Sequence, residues 1–324
     1  MTTATAPGKI ILVGEHAVVY GQPAIAAPVW QVQARATVTD GPAGRGVLLV
    51  APQIGLSVRL ANAPADEALA LVTRLTLAEL QRPDPDWQIH LTSTIPVAGG
   101  LGSGAAVSAA LVRALFAHAG AVVNAGTVSR LVYAGEELHH GTPSGIDNTV
   151  IAYGEPIWFV KDAAPERFRP GAPLFLAIAD SGIAAPTRET VADVRKGWQA
   201  DPERYASWFD AIGRIARQAR AAMETGDLPD LGLLFDRNQT ILERMGVSSP
   251  RLEVLLNAAR HAGALGAKLS GGGRGGNVIA LVEPETADSV QDALRAAGAR
   301  SVIVTTITAG SDAANADFDR LSRR

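Results

Sequence analysis

Hydrophobic and polar positions change rhythm several times along this chain. Residues 9–13, KIILV, form a short apolar run between Pro7-Gly8 and Gly14, the pattern of a buried strand. Residues 30–38 alternate, with Trp30, Val32, Ala34, Ala36 and Val38 on one face and Gln31, Gln33, Arg35 and Thr37 on the other, as in a half-exposed antiparallel strand. Strands over 47–50 and 56–60 continue the sheet, a helix covers 67–80 with Leu69, Val72, Leu75 and Leu80 near helical spacing, and Trp87, Ile89 and Leu91 alternate again. Helices follow over 103–119 and 127–139, then apolar strands over 149–153 and 157–160. In the second half, a strand over 174–179 precedes helices over 187–198, 203–224, 228–244 and 250–262. Strands over 268–270 and 277–282, a helix over 285–297 and a strand over 301–308 complete the pattern. Runs of strands interrupted by single helices predict an α+β architecture rather than a regular βαβ repeat. A loop rich in Pro, Arg and Asp over 161–173 marks the expected boundary between domains at 1–172 and 173–312, with a polar tail over 313–324.

Residues 95–119, IPVAGGLGSGAAVSAALVRALFAHA, run a glycine-rich loop into an alanine-rich helix. Gly99, Gly100, Gly102 and Gly104 remove side chains where a backbone must approach a ligand. The helix behind them offers unpaired N–H groups and the positive end of its dipole. The stretch reads as an anion cradle, beside the plainer alternative of a structural turn ahead of a core helix. Pro96 and the glycines interrupt the uncharged run and leave too short a helix, which argues against a membrane span. A dinucleotide fingerprint needs an acidic residue about 20 positions on, and no Asp or Glu lies between Asp86 and Glu136. A P-loop needs Gly-Lys-Ser/Thr, which is absent.

Composition narrows the class. Of 324 residues, 47% are hydrophobic and 19% charged, ample for buried cores, and the net charge is -3. No basic stripe tracks a nucleic acid and no membrane segment stands out, which leaves small-molecule chemistry. The absence of cysteine excludes disulfides and thiolate sites, and the N-terminus carries no signal-peptide pattern, so a cytoplasmic location is expected.

Several polar groups sit beside apolar elements: Lys9 near one end of the first strand, Glu15 and His16 just past the other, and Glu136 late in a helix. In the loop HHGTPSGIDN, Pro143 and Gly145 fix a turn that presents Ser144, Asp147 and Asn148. The adjacent His139 and His140 do not share a helix face, and no HExxH spacing supports zinc. A second glycine loop, GGGRGG over 271–276, is followed by a strand where a dinucleotide motif requires a helix. Two glycine loops with a Lys, a Glu, a His and an Asp are what phosphoryl transfer from a nucleotide needs.

Four segments carry a family resemblance: PGKIILVGEHAVVYG at 7–21, IPVAGGLGSGAA at 95–106, GEELHHGTPSGIDN at 135–148 and KLSGGGRGGN at 268–277. In this order they resemble the signature segments of mevalonate kinases, within the superfamily of galactokinase, homoserine kinase, mevalonate kinase and phosphomevalonate kinase. The resemblance covers about residues 7–308, and GEHAVVYG is its most specific part. It implies an N-terminal domain like the second domain of ribosomal protein S5 and a C-terminal ferredoxin-like domain, with the site in the cleft between them.

The resemblance also implies mevalonate as substrate, MgATP as donor and a homodimer. Asp147 would face the attacking hydroxyl, with Lys9 paired to it. Glu15, His16, Ser144 and Thr187 would contact mevalonate. Gly99, Gly100, Leu101, Gly102, Ser103, Gly104 and Ala105 would wrap the ATP phosphates, and Gly271, Gly272 and Gly273 would close the site. Magnesium would fall to Glu136 and Ser103, since Gly104 stands where the family commonly has a serine. Arg274 replaces a frequent glycine and is expected to point away. A phosphomevalonate kinase or a decarboxylase-like relative is the nearest alternative, and a catalytically dead sensor on the same fold is a third.

Overall fold

The computed structural model describes residues 1–96, 99–140 and 143–308; the polar tail lies outside the described residues. Contacts gather into two compact units, one of Met1–Lys9, Val29–Val97 and Leu101–Gly154, the other of Ile10–Pro28, Ala98–Gly100 and Glu155–Arg324. The cut falls after Gly154 rather than at 172. The loop after residue 160 is fastened to the second unit, where the Gly171 N–H donates to Met223 O at 2.8 Å and Arg220 pairs with Glu166 at 2.8 Å.

The first half of the chain contains β1 (Thr2–Val13), β2 (Ala24–Asp40), β3 (Leu48–Ala51), β4 (Leu56–Arg59), α1 (Ala68–Glu79), β5 (Trp87–Ser93), α2 (Ser103–His118), α3 (Ala125–His140) and α4 (Ile146–Tyr153). Strand order is β4-β3-β5-β2, with β1 also paired to β2. Within the antiparallel β2–β5 pair, Ala34, Ala36 and Val38 lie opposite Ser93, Leu91 and Ile89, so the alternation read from sequence becomes one buried face. Helix α2 is buried almost all round by small side chains: Ala105, Ala106, Ala109, Ala110 and Ala114 are at most 1% exposed. That burial fits a central helix, packed here against α1, α3 and α4.

One expected element changes type. Residues 149–153 belong to helix α4 rather than to a strand. A five-residue apolar run has no decisive period. Gly145, at φ 85°, starts the helix, and Thr149 Oγ1 donates back to Gly145 O at 2.6 Å. Helical packing on α2 and α3 then buries Val150 and Ile151 completely.

The second half contains β6 (Ile157–Phe159), β7 (Glu166–Arg167), β8 (Leu174–Asp180), α5 (Thr187–Ala200), α6 (Pro202–Thr225), α7 (Leu228–Arg244), α8 (Pro250–His261), β9 (Gly266–Ser270), β10 (Asn277–Val282), α9 (Ala287–Ala296) and β11 (Ser301–Ile307). Among the described residues, β6 joins Ala24–Ala26 at the start of β2 and also pairs with β7. The other four strands form an antiparallel sheet in the order β11-β8-β10-β9. Its core gathers Ala177, Leu269, Val278 and Ala280 from the strands with Leu252, Leu256, Val290 and Leu294 from α8 and α9. Three helix starts are legible in the sequence: Asp201, Asp227 and Ser249 each accept an N–H of the first turn ahead of a proline at N1 or N2. Among the described residues, no helix is long and apolar enough to cross a membrane.

Candidate active site

In the first unit, the buried Lys9 lies on β1, its N–H donating to Leu101 O at 3.0 Å and its ammonium 3.0 Å from Asp147 Oδ1. Asp147 stands in the first turn of α4, where a helix dipole favours a carboxylate. The supports of this pair are structural. Arg113 on α2 donates to Thr5 O on β1 and to Ile151 O and Ala152 O in the last turn of α4, at 2.8, 3.2 and 3.0 Å. Asn148 donates to Ser129 Oγ on α3 at 2.8 Å. Ser144 Oγ accepts the Ile146 N–H at 3.4 Å, so its hydroxyl helps start α4.

Gly102 is the N-cap of α2 at φ 72°, with no side chain capping the helix. A Cβ there would sit 2.9 Å from Lys9 Cγ and 3.0 Å from Ile151 Cδ1, so both the backbone conformation and the space demand glycine. Ser103, Gly104 and Ala105 follow as the first helical residues, whose N–H groups lack i−4 carbonyl partners. Leu101 and Ala105 are 2% and 1% exposed, so they offer backbone rather than side chain to a ligand.

Glu136, in the last turns of α3, is raised to about 7, first by burial and then by the negative charge of Asp147, with Lys9 opposing. A Cβ on Gly104 would lie 3.4 Å from Glu136 Oε1. Carboxylate and hydroxyl oxygens, as on Glu136, Asp147 and Ser103, suit a hard cation such as Mg²⁺. The donor set therefore fits magnesium. Among the described residues no group of three or more His, Cys, Asp or Glu gathers, and the side chains of His139 and His140 lie outside them. Gly141 and Thr142 of the same loop also lie outside. Near Ser103 the first unit has a cavity of about 60 Å³ walled by Ile54, Leu69, Leu91, Ile95 and Val107.

In the second unit, Glu15 is 1% exposed, and both its oxygens are taken, Oε1 by the Lys268 ammonium and Oε2 by Asn238 Nδ2 at 3.2 Å. Glu15 thus anchors its loop through both oxygens. His16 sits at φ 61°, with Nε2 3.1 Å from Gly272 O. A carbonyl only accepts, so Nε2 carries the proton and Nδ1 is the acceptor. Burial, aided by the positive charges of Arg274 and Lys268 and opposed by the Gly272 hydrogen bond, lowers His16 to about 4. The ring is neutral across the physiological range.

Thr187 begins α5 beside the second glycine loop. A Cβ on Gly272 would come 2.8 Å from Thr187 Oγ1, which explains glycine there, and Gly271 and Gly273 flank it at φ 88° and 81°. Arg274 turns to Asp193 at 2.6 Å and Gly246 O at 3.1 Å. Asn277 donates to Gly99 O. Lys268, Asn238, Asn277 and Arg113 escaped the sequence reading. A lysine between Ala267 and Leu269 in the strand GAKLS was the available signal for the first.

Two family models match: the GHMP kinases N terminal domain over residues 68–155 and the GHMP kinases C terminal model over 219–300. The mevalonate kinase of Aeropyrum pernix is 37% identical over 86% of this chain and 87% of its own length. That of Pyrococcus furiosus is 34% identical over 93% and 94%. A crystal structure of L. major mevalonate kinase in complex with R-mevalonate superposes with a TM-score of 0.82 at 29% identity, covering 96% of this chain and 97% of that one.

Proposed function

Because the chain belongs to the mevalonate kinase family of GHMP kinases, we propose that this ATP-dependent kinase transfers the γ-phosphoryl of ATP to the 5-hydroxyl of mevalonate, giving 5-phosphomevalonate for isoprenoid precursor synthesis. The observation that carries the reading is the Lys9–Asp147 pair at 3.0 Å, with Gly102, the N-cap of α2, leaving room for the Lys9 side chain.

An aspartate of ordinary pKa about 3.9 is a weak base for an alcohol. In a loose phosphoryl-transfer transition state the nucleophile keeps its proton until late, so alignment matters more than base strength. Asp147 aligns the hydroxyl and takes its proton late, while Lys9 steadies negative charge on the carboxylate and the transferring group. Gly99, Gly100, Gly102, Ser103, Gly104 and the N–H of Ala105 cradle the phosphates, with Leu101 contributing backbone. The apolar cavity beside Ser103 offers a wall for the planar base. Glu136 and Ser103 would hold Mg²⁺, which when bound offsets phosphate charge.

His16, neutral with Nδ1 as acceptor, receives a hydroxyl of the substrate, with Thr187 a further substrate contact in the second unit; Ser144, in the same motif as Asp147, is a substrate contact by the resemblance. Glu15 acts through its anchoring of the His16 loop. Gly271, Gly272 and Gly273 supply a side-chain-free surface. A homodimer and a cytoplasmic setting, where MgATP is abundant, complete the reading.

The test is ADP release by the purified chain with MgATP and mevalonate, 5-phosphomevalonate, galactose or homoserine, followed by phosphorus NMR of the product. Turnover on mevalonate giving the 5-phosphate is expected. Turnover on 5-phosphomevalonate alone would move the enzyme one step along, and silence on the whole panel would overturn the kinase reading.

A further inference from the structure

One face of the β9–β10 hairpin carries three polar side chains that each hold a different piece of the chain. Lys268 and Ser270 are two apart on β9 and so share a face, and Asn277 on β10 is the register partner of Ser270. All three are buried: 0%, 5% and 2% exposed. Lys268 binds Glu15; Ser270 Oγ accepts the Ile11 N–H at 3.1 Å and donates to Ile11 O at 2.9 Å; Asn277 Nδ2 donates to Gly99 O. The first two contacts fix the segment that leads from β1 to His16. The third reaches the glycine loop.

We infer that Asn277 is a positioning residue for the phosphate cradle, setting the peptide plane between Gly99 and Gly100. In a planar trans peptide the C=O of one residue and the N–H of the next point in opposite directions. With the Gly99 carbonyl held by Asn277, the Gly100 N–H is turned away from β10 and onto the side where an anion can receive it. Gly100 and Gly102, at φ 77° and 72°, place left-handed residues ahead of the right-handed α2, a succession that turns neighbouring N–H groups into a concave anion nest. Both are glycine, so side chains do nothing to hold this loop in one conformation; a hydrogen bond from a sheet residue does. Asn277 itself is rigid, paired through its backbone strand to both β8 and β9. The donor matters and the shape alone does not: an aspartate of equal size would present oxygen to the Gly99 carbonyl and drive the plane round.

This inference rests on the kinase reading, and the experiment separates the two. Equilibrium binding of a fluorescent N-methylanthraniloyl ADP with Mg²⁺ is measured for the wild type, Asn277→Ala and Asn277→Asp, with KM for mevalonate and for MgATP from initial rates. Expected are a weakening of nucleotide binding by about tenfold for Asn277→Ala, as for loss of one hydrogen bond to a buried partner, a larger weakening for the isosteric Asn277→Asp, and a KM for mevalonate within about twofold of wild type. Equal nucleotide affinity in all three proteins, or an equal rise in both KM values, overturns the inference while leaving the kinase reading intact. Failure of the wild type to bind the nucleotide overturns both.

Hydrogen exchange on the wild type covers the case in which the variants do not fold. ADP should slow exchange in the peptide spanning Gly99 to Ser103. Unchanged exchange there, with protection elsewhere, refutes the role of Asn277 without any substitution.

Discussion

Replacing Lys268 by methionine separates a buried ion pair from an ordinary packing contact. Lys268 is 0% and Glu15 1% exposed, and they are each other's charge partner. Burial lowers the Lys268 pKa while Glu15 pulls it back up. Without the ammonium, Glu15 keeps only the Asn238 amide, and a carboxylate out of water with one neutral donor is costly. Breaking such a pair from one side costs about 3–5 kcal/mol. At about 2–4 °C per kcal/mol for a unit of under 200 residues, the melting temperature should fall by roughly 10 °C.

The double variant Glu15→Gln, Lys268→Met supplies the control. It removes both charges, and the new glutamine can donate to Asn238 Oδ1, which has no partner among the described residues. Its stability should return to within about 1 kcal/mol of wild type, since neutral replacement of a buried pair is often tolerated. Chemical denaturation of the wild type, the single variants Lys268→Met and Glu15→Gln, and the double variant measures the coupling. A loss below about 1 kcal/mol for Lys268→Met, or a double variant as unstable as the two single losses added, would refute the account.

Other outcomes follow from the same geometry. Asp147→Asn should lower kcat by about 100-fold or more with nucleotide affinity within a few-fold, measured by initial rates and equilibrium binding; near-normal kcat would remove Asp147 from the chemistry. Gly102→Ala adds a left-handed strain of about 1 kcal/mol and an overpacking cost of about 1–3 kcal/mol against Lys9 and Ile151, so denaturation should show a loss of about 2–4 kcal/mol together with a fall in kcat as Lys9 is displaced. Glu136, raised from 4.5 to about 7 in the fold, holds its proton longer folded than unfolded, so its ionisation destabilises the metal-free protein progressively as pH rises from about 4.5 to about 7. Glu136→Gln should therefore gain stability over wild type across that window, with Mg²⁺ narrowing the gap at pH 8; a gap that does not change with pH refutes the shift. His16, lowered to about 4, gives the opposite slope, with stability present above about 6.5 and lost as pH falls towards about 4, but it is common to both proteins and cancels in that comparison.

Much of the site was legible because its chemistry is local. The glycines at 99, 100, 102 and 104 announce a close backbone approach, and the Asp-Pro and Ser-Pro starts of α6 and α8 announce their helices. Residues 149–153 were not legible, because a short apolar run packs equally well as strand or helix until its neighbours are in place. Glu15 is named as a substrate contact by its place in the GEHAVVYG segment, and its partners Lys268 and Asn238, more than 200 positions away, are invisible in that segment.

The sequence by itself determined the order and type of nearly every element, the α+β class and the two glycine loops, and it offered Lys9, Asp147 and Glu136 as candidates for phosphoryl transfer. Periodicity, caps and glycine conformation are properties of a few consecutive residues, so they are written along the chain. Tertiary structure alone decided which polar groups meet. Lys268 finds Glu15 across 253 positions, Asn277 finds Gly99 across 178, and Arg113 joins β1 to α4. A buried charge or carbonyl must be answered by whatever the fold brings within hydrogen-bond reach, and that answer exists only once the strands and helices have packed.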